Sequence, residues 1–385
     1  MKRVQKYDVV IVGGGLIGLC IAFHLMGSQR KVGVLMGTHK GRASLAAAGM
    51  LTPTCEWSPE VPLSSLEFMR IGREYYKEFL ANLFENSQLE EKIGYSERSF
   101  LLLDLVENDR GLSSRFESLQ AAEANVVWLN RQDVCKLEPS INPEVIRGAI
   151  LVSGDGIVNP RALHQFLVEC ISQQADLLDT NLLTVEEIGD DFLLTLDSDD
   201  TLICPQVIIA AGAWSFEVAE KFHLEVPVSL SKGQIVQLSG ASGLLQRILY
   251  MPVGACGCLL ERSPGIYIAG TSEEYVSAEV TNTSKVVAAI LTRINEVFLP
   301  AGDFVIDEMW SGFRPITPDE LPIISLSSDP RITIATGHYR NGVLLSPLTG
   351  LIVKSLLEGH EPTVNIQPYR YQRKFHAQYR FASAY

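Results

Sequence analysis

Two hydrophobic periods alternate along the chain, and their order predicts a split α/β architecture. Val9 to Val12 is a continuous apolar run, as in a strand buried on both faces. Gly13-Gly14-Gly15-Leu16-Ile17-Gly18 follows, then a helical pattern to about Ser28 and a second strand from Lys31 to Met36. Between Ser64 and Asn86 the residues Leu66, Met69, Ile71, Tyr75 and Phe79 recur at helical spacing. From Ile93 to Pro143 short strands such as Ser99 to Leu105 mix with a polar helix at Leu112 to Ala121, as in an inserted piece. Asn159 caps a helix that opens on Pro160 and runs to about Gln174. Strands are expected at Asn181 to Glu187 and Asp191 to Leu196, and Gln206 to Ala211 reads as a central parallel strand ending in small residues. Beyond Lys232-Gly233-Gln234 the period becomes strand-like at Gln234 to Leu238, Gly257 to Glu261 and Gly265 to Ile268. A helix near Ser284 to Phe298, a buried strand from Ile332 and a closing helix from Thr349 to Leu357 complete the pattern.

The expected fold is a discontinuous Rossmann-type domain from 1–92, 144–233 and 326–365. An α+β substrate domain on a mixed or antiparallel sheet comes from 93–143 and 234–325, and 366–385 is a C-terminal tail.

Composition narrows the partners. Of 385 residues, 46% are hydrophobic and 20% charged, which supplies a sizeable core and excludes a disordered chain. A formal charge of -13 argues against nucleic acid, whose affinity rests on clustered Lys and Arg. The basic run from Tyr369 to Lys374 reads as a solvated terminus. Seven irregularly spaced cysteines suit a reducing cytoplasm. No Cys or His pair stands at zinc-site spacing from Cys256 and Cys258, so no metal is expected. Lys2, Arg3 and Lys6 before the apolar stretch Val9 to Met26 imitate a membrane anchor, but four glycines and His24 interrupt it, and no span is expected.

The glycine loop carries the first chemistry. In G-x-G-x-x-G, Gly13 permits a tight turn, Gly15 lets the backbone approach a pyrophosphate, and Gly18 permits close packing of helix on strand. The helix N-terminus then offers free N–H groups to the phosphates. An acid is expected at the end of the second strand to bond the ribose hydroxyls, yet Met36 stands there. No Asp or Glu occurs between Asp8 and Glu56, which leaves backbone groups or Thr38 for the ribose and predicts weakened cofactor retention.

Four further blocks carry a resemblance: Ala46-Ala-Ala-Gly-Met-Leu51, Val207-Ile-Ile-Ala-Ala-Gly-Ala-Trp-Ser215, Trp310-Ser-Gly-Phe-Arg314-Pro315 and Gly337-His-Tyr-Arg-Asn-Gly-Val-Leu-Leu345. From Tyr7 to Gly359 the chain resembles the FAD-dependent D-amino acid oxidase superfamily, most nearly its glycine oxidases of bacterial thiamine biosynthesis. The resemblance implies FAD held by Gly13, Gly15, Leu16, Ile17 and Gly18, by Met36, by Ala43, Ser44, Ala48, Gly49 and Met50, and by Leu182 and Gly212. It adds the segment His338, Tyr339, Arg340, Asn341, Gly342, Val343 and Leu344. Arg314 matches an arginine that pairs with the substrate carboxylate, for which a guanidinium is a planar, bidentate partner. Arg340 matches a second arginine near flavin and substrate.

The implied reaction is oxidative deamination of glycine or a related small or N-substituted amino acid, with hydride transfer to flavin N5. Reoxidation by O2 then gives an imino acid and H2O2. The implied partners are the amino acid or amine and O2, with self-association into a homo-oligomer left open. The implied pocket is lined by Met50, Cys258 and Glu273. Cys258 falls where a tyrosine is expected and Glu273 where a methionine is found, which predicts a wider, more acidic pocket. Two other readings stay open: a D-amino acid dehydrogenase passing electrons to a quinone, and a flavin-poor scaffold subunit of an oxidase complex.

Overall fold

The computed structural model describes residues 4–83, 92–107, 111–252, 256–275 and 279–375. Its first large sheet has six strands, in the order Asp176–Leu178, Val32–Leu35, Val9–Val12, Gln206–Ile209, Ile332–Thr336 and Ile323–Leu326. The first five run parallel and the last is antiparallel. Val9 to Val12 and Val207 to Ile209 are buried throughout, as apolar runs without alternation require.

Helices Leu16–Leu25 and Gly342–Leu357 follow the Val9–Val12 and Ile332–Thr336 strands and pack on one another. Because their strands are parallel, both helices begin at the same sheet edge, where doubly wound folds bind ligands. The closing helix starts seven residues earlier than the sequence pattern indicates, at Gly342 in place of Thr349. Pro347 lies inside it, and buried residues surround most of its girth, so no period is visible. Proline removes the N–H that would bond the Val343 carbonyl, and the Ser346 hydroxyl donates to that carbonyl instead, at 2.9 Å.

The second large sheet has eight strands, in the order Val305–Ile316, Ser229–Ser239, Ile266–Gly270, Cys258–Ser263, Ile248–Tyr250, Phe100–Leu105, Ile146–Val152 and Val126–Asn130. Its pairs are antiparallel except Ile248–Tyr250 with Phe100–Leu105, so the sheet is mixed as expected. Period-two alternation divides its residues between two cores. Ile235, Leu260, Ile268, Leu102 and Ile150 join the core shared with the nucleotide-side helices. Val236, Leu259, Ala269, Leu101 and Ala149 pack with Ile290, Ile294 and Val297 of helix Ser284–Val297 on the other face.

Two strands sit on the other side of the expected partition. Ile146–Val152, assigned to the nucleotide-binding half, pairs with Phe100–Leu105, because the turn at Asn142 to Val145 returns the chain along the inserted piece. Ile323–Leu326, whose first three residues are assigned to the substrate half, forms a hairpin with Ile332–Thr336. Met50–Leu51, Gly156–Ile157 and Ser96–Glu97 form a small separate sheet. The strands after residue 180 form an antiparallel pair, Leu182–Ile188 with Asp191–Leu196, in a separate four-stranded sheet. Among the described residues no helix is long and apolar enough to cross a membrane, and the seven cysteines are all free.

Candidate active site

One cavity of ≈ 350 Å³ runs from the first sheet to the second. At one end it is lined by Gly13, Gly15, Ile17, Met36, Asn181 and Leu182, and at the other by Met50, Glu56, Tyr250, Thr271, Arg314 and Arg340. Ala43, Ser44, Ala48, Gly49, Gly212, His338, Tyr339, Gly342 and Val343 lie along it. Of the residues expected to touch a cofactor, Leu16, Gly18, Asn341 and Leu344 are outside its surface.

The glycine loop is shaped by backbone contacts that leave no room for side chains. Gly13 has φ +130°, and a Cβ there would stand 2.2 Å from the Ala210 carbonyl oxygen. A Cβ on Gly18 would stand 1.9 Å from the Gly13 oxygen, so helix and loop touch directly. His164 Nε2 lies 2.8 Å from the Gly14 oxygen and pins the loop from helix Pro160–Ile171. The Leu16 N–H donates to Ser44 Oγ at 2.9 Å. No acid stands in the first turn of this helix and its N-cap residue, Gly15, has no side chain, so apart from the neutral Ser44 hydroxyl its positive end is left for an anion.

At the end of the second strand Met36 lines the cavity, 7% exposed, and Arg42 Nη1 approaches its carbonyl at 3.5 Å. Thr38, offered as a ribose partner, is not at the cavity surface: its Oγ accepts from Asn181 Nδ2 at 2.6 Å. Asn181 is held in turn by Asp197, at 2.7 Å from Nδ2. Asp197 also accepts from the Thr180 hydroxyl, and these hydrogen bonds lower its pKa. Asp197, just past the Asp191–Leu196 strand, thus acts on this end through Asn181, while Glu217 lines the cavity directly.

At the far end, two arginines face the cavity in different electrostatic states. Arg314 projects from the Val305–Ile316 strand across Gly233 of the facing strand, where a Cβ would meet its Nη2 at 2.6 Å. Its guanidinium donates to the Thr271 hydroxyl and, at 3.1 Å from both Nη atoms, to the Ser272 carbonyl. Among the described residues no carboxylate forms a salt bridge with it, and burial followed by repulsion from Arg340 lowers its pKa. Arg340, by contrast, pairs with Glu273 at 3.0 Å and has Glu56 at 3.9 Å.

Glu56 and Tyr250 escaped the sequence reading. The Tyr250 hydroxyl donates to Glu56 Oε2 at 3.2 Å; Tyr250 is buried and the Glu56 side chain is 6% exposed, both at the cavity wall. Burial raises the Glu56 pKa, against the opposing pull of Arg340. Cys258 does not line the cavity. It is 0% exposed, packs in the core, and pairs across the sheet with Tyr250, which carries the hydroxyl into the site in its place. Glu273 is not at the cavity surface either, and reaches the site through Arg340 and the Tyr339 hydroxyl. His338 is buried with its Nε2 2.9 Å from Thr349 Oγ1 and, among the described residues, its Nδ1 without a partner. Burial lowers its pKa to about 3, so the ring is neutral.

Residues 8–356 match the family described as FAD dependent oxidoreductase. The chain belongs to this family. FAD is therefore its cofactor. The chain is 30% identical over 379 residues to the glycine oxidase of Geobacillus kaustophilus, covering 96% of this chain and 97% of that protein. It is 31% identical over 379 residues to the bifunctional protein ThiO/ThiG of Synechocystis sp., covering 95% of this chain but only 54% of that one, so it spans about half the length of that relative. The crystal structure of the Geobacillus kaustophilus glycine oxidase superposes with a TM-score of 0.88 at 28% identity, over 97% of this chain and 100% of that chain.

The residues present fit FAD. The loop at Gly13 and Gly18 admits no side chain, the helix behind it lacks a competing acid, and the neutral His338 keeps an unpartnered buried Nδ1 on the cavity wall. The missing ribose acid is the one departure.

Proposed function

We propose that this chain is an FAD-dependent oxidase of glycine or a related small or N-substituted amino acid, with O2 as electron acceptor. The observation that carries the reading is the state of Arg314: a half-buried guanidinium in the flavoprotein's cavity that forms no salt bridge among the described residues. A desolvated cation of this kind is stabilised by an incoming anion, and a planar carboxylate matches its fork.

In this reading Gly13, Gly15 and Ile17 receive the pyrophosphate, and the Ala48 to Met50 and His338 to Val343 segments border the ring system. The bound flavin supplies the two-electron acceptor for the substrate Cα–H bond. Arg314 fixes the carboxylate and thereby the orientation of Cα. Glu56 faces the nitrogen and takes a proton from the ammonium at a carboxylate oxygen, leaving the nitrogen lone pair free. Burial favours this transfer, because it raises a carboxylate pKa and lowers that of an ammonium. The Tyr250 hydroxyl holds Glu56 in place.

The sign of the pH dependence follows. With its pKa raised, Glu56 stays protonated to higher pH than an ordinary carboxylate, so kcat/KM should rise with pH through that region as the proton-accepting form appears. Glu56→Gln should flatten this limb and lower kcat/KM by about 100-fold. An unchanged limb in that variant would assign the ionisation to another group.

Cofactor retention gives a second expectation. A carboxylate at position 36 would regain charge-assisted hydrogen bonds to ribose, each worth about 1.5–3 kcal/mol. Met36→Glu should therefore tighten the FAD Kd by about tenfold or more, read by ultrafiltration of diluted holoenzyme. Equal flavin loss from both proteins would place the ribose away from Met36.

The reaction class is tested by oxygen uptake with glycine, sarcosine and D-alanine, beside methylamine as a substrate without a carboxylate. Stoichiometric peroxide from the amino acids and none from methylamine is expected. Reduction of a quinone or dye without oxygen uptake would instead identify a dehydrogenase.

A further inference from the structure

Arg314 and Arg340 line the same cavity, but only one of them is available to a ligand. Arg314 donates to a hydroxyl and a carbonyl and, among the described residues, forms no salt bridge. Arg340 is already balanced: Glu273 Oε2 sits 3.0 Å from its Nη2, and Glu56 Oε2 3.9 Å from its Nη1. Glu273 is itself anchored, since its Oε1 accepts from the Tyr275 hydroxyl at 3.1 Å and from the Tyr339 hydroxyl. We propose that Glu273 is a resident counter-ion that withholds Arg340 from the substrate. The pocket then takes amino acids with one carboxylate and a neutral or cationic substituent, and rejects those with a second carboxylate.

The proposal rests on the reading of Arg314 as the carboxylate site. A second substrate carboxylate directed at Arg340 would meet a cation already paired with the Glu273 carboxylate, and like charges in a partly dry site repel. Burial pushes Glu273 up, but Arg340 and the tyrosine hydroxyls outweigh it and hold its pKa below the usual carboxylate range, so the counter-ion persists at neutral pH. Removing its charge would free Arg340 for an anionic arm of the substrate. Glu273 lies outside the cavity surface, so it acts by positioning and neutralising Arg340, without touching substrate. The side chains of this pair are 30% and 22% exposed, so solvent screening holds the expected effect near tenfold rather than the full value of a dry pair.

The test uses the holoenzyme and two matched pairs of probes. Iminodiacetate and its monoamide differ only in whether the second arm is charged, and kcat/KM is measured for both. Oxydiacetate and methoxyacetate cannot be oxidised as amines, and their Kd values are read from perturbation of the flavin spectrum, without turnover. The wild-type protein should prefer the monoamide and methoxyacetate by about tenfold or more. Glu273→Gln should shift both ratios toward the dicarboxylate by about tenfold, and Glu273→Asp should keep the wild-type preference. A merely structural role would lower activity on both members of a pair and leave the ratios unmoved. Equal handling of both members by the wild type, or ratios unchanged in Glu273→Gln, would overturn the proposal. If no amine is oxidised but the ligand Kd values still follow this pattern, the counter-ion role stands and the oxidase reading fails.

Discussion

Replacing Arg314 with methionine is expected to lower kcat/KM for carboxylate-bearing amines by roughly 100-fold, the equivalent of about 3 kcal/mol for a charge-assisted, bidentate pair. The loss should fall mainly on KM if the carboxylate contact is equally strong before and during reaction, and on kcat as well if Arg314 aligns Cα. The same substitution should not lower Tm. Arg314 is a half-buried cation that forms no salt bridge among the described residues and whose charge burial disfavours, and replacing such a charge with an apolar side chain of similar length is neutral or stabilising. Opposite responses of activity and stability are the signature of a site held ready for a ligand at a cost to the fold. Arg314→Lys keeps the charge but loses the planar fork, so it should fall between the two. Unchanged kinetics in Arg314→Met would remove this residue from the site.

Gly18→Ala should have the larger effect on the cofactor. A methyl group there would lie 1.9 Å from the Gly13 carbonyl oxygen, a backbone atom of the phosphate loop that cannot move without opening the turn. The variant is expected to purify without flavin, with its visible absorption bands lost and Tm reduced by the missing ligand. Gly302→Ala is the matched control, since a Cβ at Gly302 meets nothing within 4 Å. It should retain flavin. Full flavin content in Gly18→Ala would contradict the view that this contact shapes the loop.

Local stereochemistry explains which features were legible in the sequence. Val9 to Val12 and Gln206 to Ile209 announce central strands because every residue but Gln206 is apolar, and the glycine loop announces itself because only glycine fits those contacts. The closing helix is legible only from Thr349 because Pro347 and an apolar girth conceal its period, while the Ser346 hydroxyl bonds the carbonyl that the proline leaves open. Glu56 and Tyr250 were missed for a different reason. Their hydrogen bond joins positions 194 apart in sequence, and nothing near either residue marks it as chemical. The resemblance sets Cys258 where a pocket tyrosine is expected, but the structure pairs it with Tyr250, whose longer side chain lines the cavity while the thiol stays in the core. Its neighbour Gly257 reaches the cavity and the thiol does not. Likewise the acid absent from Met36 has a counterpart in Asp197, which becomes relevant only once the Leu182–Ile188 and Asp191–Leu196 hairpin brings it to Asn181.

The central claim is that a flavin and an unbalanced Arg314 share one cavity and together oxidise an amine that carries a carboxylate. The most direct measurement is anaerobic titration of the purified holoenzyme with glycine, sarcosine, D-alanine, D-proline and longer N-substituted glycines, followed by admission of O2. The expected result is bleaching of the oxidised-flavin bands by at least one of these amino acids, recovery of the bands on oxygenation with release of H2O2, and no bleaching by the corresponding decarboxylated amines. Flavin bands that no amino acid bleaches, or that simple amines bleach equally well, would contradict the account.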